Sequence, residues 1–581
     1  MKRIFTRLFH LALLTPALLV GAGCASTATP PPGHAAADAT APREQADDLP
    51  RVALTPEILY QILLGEIAGQ RGQVGIAASI LMRVAEQTRD PRLAERATLA
   101  ALYAKQYALA RQGAELWVQL RPADGQPHEA LAQVLLELGE LQAAQAEFER
   151  ILDLEAERGK LEQGFLRVGS VLGRHNNPKQ ALALMRALVA RHADVAPAHF
   201  YAAHLAVRAG DLEQAATFAA RALALRPQWE EAALFRARVL ISQKDTTGAA
   251  AFYRDYLERY PRATNVRLNY ARFLIDQKQW EEAHRQFKQV VADRPDDAEA
   301  VYAVGLLSLQ VNRVDEAEEY LKRALALDPE NDQARLYLGQ AAESRKRYDE
   351  AARWYGEVRD GEHYFEAQMR LAIVMARQGE VEGGRAHLRS IVPQNNSQRV
   401  QRALAEEQIL REAKRYHDAL AVLDEAIAAV PNDKDLLYAR ALVAERLDRL
   451  ELAERDLRAI LAQDPNNAHA LNALGYMLAD RTTRYAEAYE LIKRALELKP
   501  DDPFILDSMG WVQYRLGNYA EAVKFLKRAL VLRNDAEIAA HLGEVLWVMG
   551  RIREAESVWN RALEETPDNE TLLTIIKKFK P

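Results

Sequence analysis

From Thr55 and Pro56 onward, apolar residues recur at steps of three and four, the spacing of short helices with one buried face. The pattern is best preserved in PFILDSMGWVQYRLGNYAEAVKFLKRALVLRNDA, residues 503–536. Leu506, Met509 and Gly510 share one face of a first helix, which the Gly517–Asn518 pair ends. Tyr519, Ala522, Leu526, Ala529 and Leu530 form a stripe on a second helix, with Lys524, Lys527 and Arg528 off it. Two such helices cannot bury both apolar faces on each other. The unit requires copies of itself.

The copies follow a 34-residue step. Ala181, Ala215, Ala249, Ala283, Ala317 and Ala351 mark the close-packing point of successive second helices; Ala419 and Ala453 resume the phase, then Ala488, Ala522 and Ala555. Pro227, Pro261, Pro295 and Pro329 keep the same step, as do Pro431 and Pro465, with Pro500 one residue out. Gly305, Gly339, Gly475, Gly510 and Gly543 share the period. This shared small-residue, aromatic and proline pattern resembles the tetratricopeptide repeat. The resemblance implies an all-α solenoid of about fifteen antiparallel hairpins forming a superhelix, closed by a capping helix over Glu570–Lys580. The repeats read as degenerate over 51–225 and regular over 226–567, with 568–581 holding the cap and C-terminus. Gly383–Gly384 and Pro393 weaken the pattern at 361–398, a candidate bend.

The first residues differ in kind. Lys2, Arg3 and Arg7 precede an apolar run from Leu11 to Val20 broken by Pro16, and small residues lead to Cys24. Residues 1–23 read as a signal peptide, too short and wrongly flanked for a membrane span. Cys24, the single cysteine, resembles the lipidated residue of a bacterial lipobox, although Gly21 stands where leucine is commoner. The other reading is an ordinary cleaved signal with a stray cysteine. Ala25 and Ser26 in place of an aspartate resemble the sorting signal for the outer membrane. Residues 24–50, rich in Ala, Pro and Thr, read as a disordered tether.

Composition removes several classes of function. The net charge is −6 with both signs interspersed among 27% charged residues, against a nucleic-acid-binding surface. One cysteine excludes an internal disulfide and a Cys-rich metal site. There is no HExxH, Walker loop, GxSxG or Cys-x-x-Cys. His192, His199 and His204 are the nearest approach to a metal cluster, and their spacing does not bring them to one face. Acidic pairs such as Glu318–Glu319 read as solvated. No catalytic site, cofactor or metal is expected.

A helical solenoid offers a concave wall of first helices. Counting from the small residue at the eighth repeat position, the fifth, ninth and twelfth face inward. These positions place Tyr302, Leu306 and Leu309 on the wall in the middle repeats, and Tyr476, Trp511, Tyr514 and Trp547 near the C-terminus, with Phe504 beside them. Aromatic anchors of this kind suit partner recognition. Tyr514 and Trp547 fit equally well as packing between adjacent first helices, whereas Trp511 is expected to project from the wall. The Lys-and-Asn pair with which some tetratricopeptide repeats clamp a terminal carboxylate is missing.

NALGYMLADRT (472–482), DSMGWVQYRLGNYAEA (507–522) and AAHLGEVLWVMGRIREA (539–555) resemble long repeat lipoproteins of Gram-negative envelopes. One member of that group partners a periplasmic C-terminal processing protease acting on cell-wall hydrolases. The resemblance implies a non-enzymatic, lipid-anchored adaptor facing the periplasm, with protein partners and no nucleic acid. The alternative is a scaffold for envelope assembly or polysaccharide export. An enzyme framed by the solenoid lacks any motif in its favour.

Overall fold

A computed structural model describes Pro50 and residues 52–580. The expected signal peptide, Cys24 and all of the tether but Pro50 lie outside these residues. The described chain forms 31 helices and no strand. They pair in chain order, from Pro56–Gln70 with Val74–Thr88 to Ala536–Val548 with Ile552–Glu565, and Glu570–Phe579 follows alone.

Local chemistry explains the pairing. Many first helices open on an Asp or Asn whose side chain accepts a backbone N–H, as Asn331 does from Ala334 (2.9 Å), Asn467 from Ala470 (3.0 Å) and Asp502 from Phe504 (3.0 Å). The turn inside the hairpin uses a left-handed residue at a fixed step: Gly210, Lys244, Lys278, Asn312 and Lys346 all have φ between 58° and 79°. Gly517 sits at the same turn with φ 85°. The turn geometry therefore repeats even where the glycine does not.

The eleven alanines of the second helices, Ala181 to Ala555, are all fully buried. Gly510 shows why the facing position is small. A Cβ there would stand 2.5 Å from Leu526 Cγ and 3.2 Å from the Ala522 carbonyl oxygen. Gly305, Gly339, Gly475 and Gly543 close their hairpins in the same way, on contacts that leave no room for an extra carbon. Gly384 belongs to the same logic, since its Cβ would meet the Ala372 carbonyl; around 361–398 the second helices are the short Tyr348–Gly356 and Val381–Ser390.

The chain divides into two compact units, up to Leu225 and from Arg226 onward, rather than near 361–398. In the second unit, first helices of neighbouring pairs touch directly, as Ala468–Arg481 touches Pro503–Arg515 and Pro503–Arg515 touches Ala536–Val548. Successive second helices make no comparable contact there. Elements that approach their own kind form the tighter side of a stack, so the first helices make its inner wall. Glu570–Phe579 covers the last of them, with Leu572 fully buried. The first helix of the other unit, Pro56–Gln70, instead exposes Leu59, Tyr60, Leu63, Leu64 and Ile67.

One surface expectation is corrected. Glu319 is solvated, but Glu318 is buried and ion-paired with Arg347 of the next repeat. Similar cross-repeat pairs, Lys288 with Glu316 (2.7 Å) and Arg484 with Glu454 (2.9 Å), run along the second helices.

Candidate functional site

Four first helices, Lys434–Arg446, Ala468–Arg481, Pro503–Arg515 and Ala536–Val548, build the C-terminal part of the inner wall. At its centre the His541 Nδ1 lies 2.9 and 3.0 Å from the two carboxylate oxygens of Asp507, and both residues are buried. The Trp511 ring lies flat on the imidazole, centroids 4.4 Å apart, and its Nε1–H donates to Asp480 Oδ1 at 3.2 Å. Tyr476 also approaches His541, with ring centroids 6.1 Å apart. Tyr514 packs on Trp511 at 5.1 Å and donates its hydroxyl to Glu544 (3.2 Å), which also receives Lys578 of the capping helix (2.9 Å).

The electrostatics follow from burial among carboxylates. Burial pushes the His541 imidazolium down, but the charge and hydrogen bond of Asp507, with Glu537 and Glu544 nearby, outweigh it and raise its pKa. Burial raises the Tyr476 hydroxyl well above its ordinary value, and Asp480, Asp507, Glu445 and Glu537 push the same way. Burial also raises Glu445, which Asp480 reinforces and Arg446 and Arg481 oppose. Tyr514 is pushed up to about 12, chiefly by burial.

Of the residues expected on the wall, Tyr476, Trp511 and Tyr514 gather around His541. Phe504 does not join them; it is 46% exposed and carries the Arg533 guanidinium 4.9 Å over its ring. Trp547 faces Trp559 (5.5 Å) and Phe579 (5.9 Å), the packing alternative. Trp511 corrects the expectation of a projecting ring. It is 6% exposed, because the wall helices sit close enough for His541 and Asp480 to enclose it. Leu306 is likewise buried, at 5% exposure, while Tyr302 and Leu309 are half-buried and the Tyr302 hydroxyl is enclosed without a hydrogen-bond partner.

Several wall residues were not singled out in the sequence. The same inward count from Ala441, Gly475 and Gly510 reaches Tyr438, Glu445, Asn472 and Asp507. His541, at a sixth position, carries no such signal. The His541–Asp507 pair resembles half of a catalytic relay, but Trp511 covers its imidazole. His192, His199 and His204 are packed separately, against Phe165, the Ala193 carbonyl and Phe200, and no metal-binding group of three His, Cys, Asp or Glu occurs among the described residues.

The "Tetratricopeptide repeat" description matches residues 166–229, 202–264, 305–361, 404–467, 438–503 and 508–570, and a second family model so described matches 240–307. The chain belongs to the tetratricopeptide repeat family. It is 34% identical over 566 residues to the TPR repeat-containing protein PA4667 of Pseudomonas aeruginosa, covering 92% of this chain and 90% of that one. A shorter likeness, 34% over 98 residues, links it to bacteriophage adsorption protein A of Escherichia coli (17% of this chain, 10% of that one). Among solved structures, the Cut9–Hcn1 hetero-tetramer of the APC/C is 18% identical, covering 87% of this chain and 99% of that one, with a TM-score of 0.31. As a tetratricopeptide repeat chain it is a protein-interaction scaffold.

Proposed function

We propose that this tetratricopeptide repeat chain is a periplasm-facing adaptor lipoprotein of the outer membrane, acylated at Cys24. Its first-helix wall holds protein partners, and its role is to bring a C-terminal processing protease together with cell-wall hydrolase substrates. The observation that carries the scaffold reading is the first-helix wall, with part-exposed Tyr438 and Tyr476 and exposed Leu442 and Phe504 on successive first helices. The leader, Cys24 and Ala25–Ser26 support the anchor. Several acyl chains on one residue give stable attachment where one alone is marginal.

Capture from envelope extract by the chain lacking residues 1–50 tests the reading. Recovery of a tail-processing protease is the expected result. Synthase or secretion subunits in its place would move the assignment to envelope assembly or export. Cys24→Ser is expected to release the full-length protein from the membrane fraction and abolish labelling by radioactive palmitate; unchanged fractionation would remove the anchor.

A further inference from the structure

The wall beside Tyr476 has acceptors that nothing in the chain satisfies. Asn472 lies one helical turn before Tyr476 on the same face, and its Oδ1 is enclosed without any hydrogen-bond donor. An acceptor left so is costly when buried, and the cost is removed by a ligand that donates. Glu445, on the adjacent helix Lys434–Arg446, makes no ion pair within 4 Å, and Tyr438 stands two turns before it. Asp480, Asp507 and Glu537 complete the carboxylates around the Tyr476 hydroxyl.

The cations nearby are mostly committed elsewhere. Arg481 is bonded to Asp448 (2.7 Å), and Arg515 to the Asp480 carbonyl (3.0 Å) and the Tyr485 hydroxyl (2.7 Å), with its guanidinium also 3.9 Å from the Asp480 carboxylate. Lys578 is bonded to Glu544, and His541 to Asp507. Arg446 is exposed and acts on Glu445 only through its charge. The wall thus combines an orphan acceptor, aromatic faces and, in Glu445, a carboxylate with no ion-pair partner.

We propose that this seat, framed by Tyr438, Glu445, Asn472, Tyr476 and Asp480, takes an arginine or lysine side chain of a partner polypeptide. The inference rests on the wall being the protein-binding surface and adds the chemistry of the anchor. A guanidinium fits it best. It offers five donors and no acceptor, stacks on tyrosine faces, and suits an amide oxygen beside carboxylates. An acidic or carboxylate-terminated anchor would instead meet the Asn472 acceptor and the carboxylates of Glu445 and Asp480.

The test uses the full chain and a fluorescein-labelled, end-blocked peptide of sequence Ser-Leu-Ser-Arg-Ser-Leu-Ser, read by anisotropy. Companion peptides replace Arg with Lys, citrulline (neutral, near-isosteric) or Glu. Arg and Lys peptides are expected to bind, with citrulline and Glu weaker by about tenfold or more, the scale of a lost charge-assisted bond. Asn472→Leu and Glu445→Gln are expected to remove that preference with an unchanged or higher thermal midpoint, because the first removes an enclosed acceptor without a donor and the second a charge without an ion-pair partner. Asn472→Asp is expected to tighten the Arg peptide. Equal binding of Arg and citrulline peptides, lost in Tyr476→Ala, would overturn the cationic seat while leaving the wall as the binding surface. Failure of every peptide to bind would overturn the seat as well, and partner capture from envelope extract by wild type and Tyr476→Ala then judges the wall independently.

Discussion

At the scale of single residues, Trp511 is the sharpest case of a side chain whose position was legible and whose role was not. Its ninth position places it on the inner wall. Only the neighbouring helices show that His541 lies under its ring and Asp480 takes its N–H. Trp511→Ala is therefore expected to cost about 3–5 kcal/mol, the range for emptying a buried aromatic site, and to release His541 from its stack. Urea unfolding checks it; loss of binding with an unchanged midpoint would restore the projecting-anchor reading. The His541–Asp507 pair adds a pH dependence. A group whose pKa is raised on folding stabilises fully below its unfolded value and loses that contribution as pH rises through the folded one. His541 is raised above its ordinary value of 6.5, so the Pro503–Arg515 and Ala536–Val548 helices are expected to lose stability as pH climbs above 6.5 and through the raised value. Hydrogen-exchange free energies of these helices in wild type and His541→Gln measure this. An identical pH profile in the two proteins would contradict it.

At the scale of the element, the helical hairpin was readable almost entirely from the chain. Small residues at a constant step record helix–helix contacts too close for a larger side chain, and the structure buries every one of them. What the sequence pattern could not display was contact between repeats. Tyr302, Leu306 and Trp547 obey the inward count, yet a neighbouring first helix or the cap sets how much of each stays open. Glu318 looked solvated for the same reason, since its partner Arg347 belongs to the next hairpin. Hairpin contacts make a local prediction. Ala522→Trp forces a large ring against Gly510 and is expected to cost about 1–3 kcal/mol or more by overpacking. The loss should concentrate in the Pro503–Leu532 hairpin and its neighbours, because coupling in a repeat array runs between adjacent units. Hydrogen exchange resolved by peptide decides this. A uniform loss of protection along the array would contradict local cooperativity.

At the scale of the whole molecule, the chain is an array whose chemistry is distributed along one wall. One contact in the second unit departs from nearest-neighbour order. Lys414 Nζ meets Glu570 Oε1 at 2.6 Å across 156 residues, bringing the turn before Tyr416–Ala429 to the start of the capping helix. Both side chains are exposed, so this closure is one that salt weakens. It brings two ends of a long stretch of first helices together, the stretch that carries Tyr438, Asn472 and Tyr476. Partner binding along this stretch is the central claim, and site-specific photo-crosslinking in envelope extract tests it most directly. A photoreactive residue is placed in turn at Tyr438, Leu442 and Phe504 on the first helices, and at Glu490 and Lys524 on the second helices, all partly or fully open to solvent. Adducts with a common partner from the three first-helix positions, and none from the other two, are the expected result. Adducts from Glu490 and Lys524 with none from the wall would contradict it.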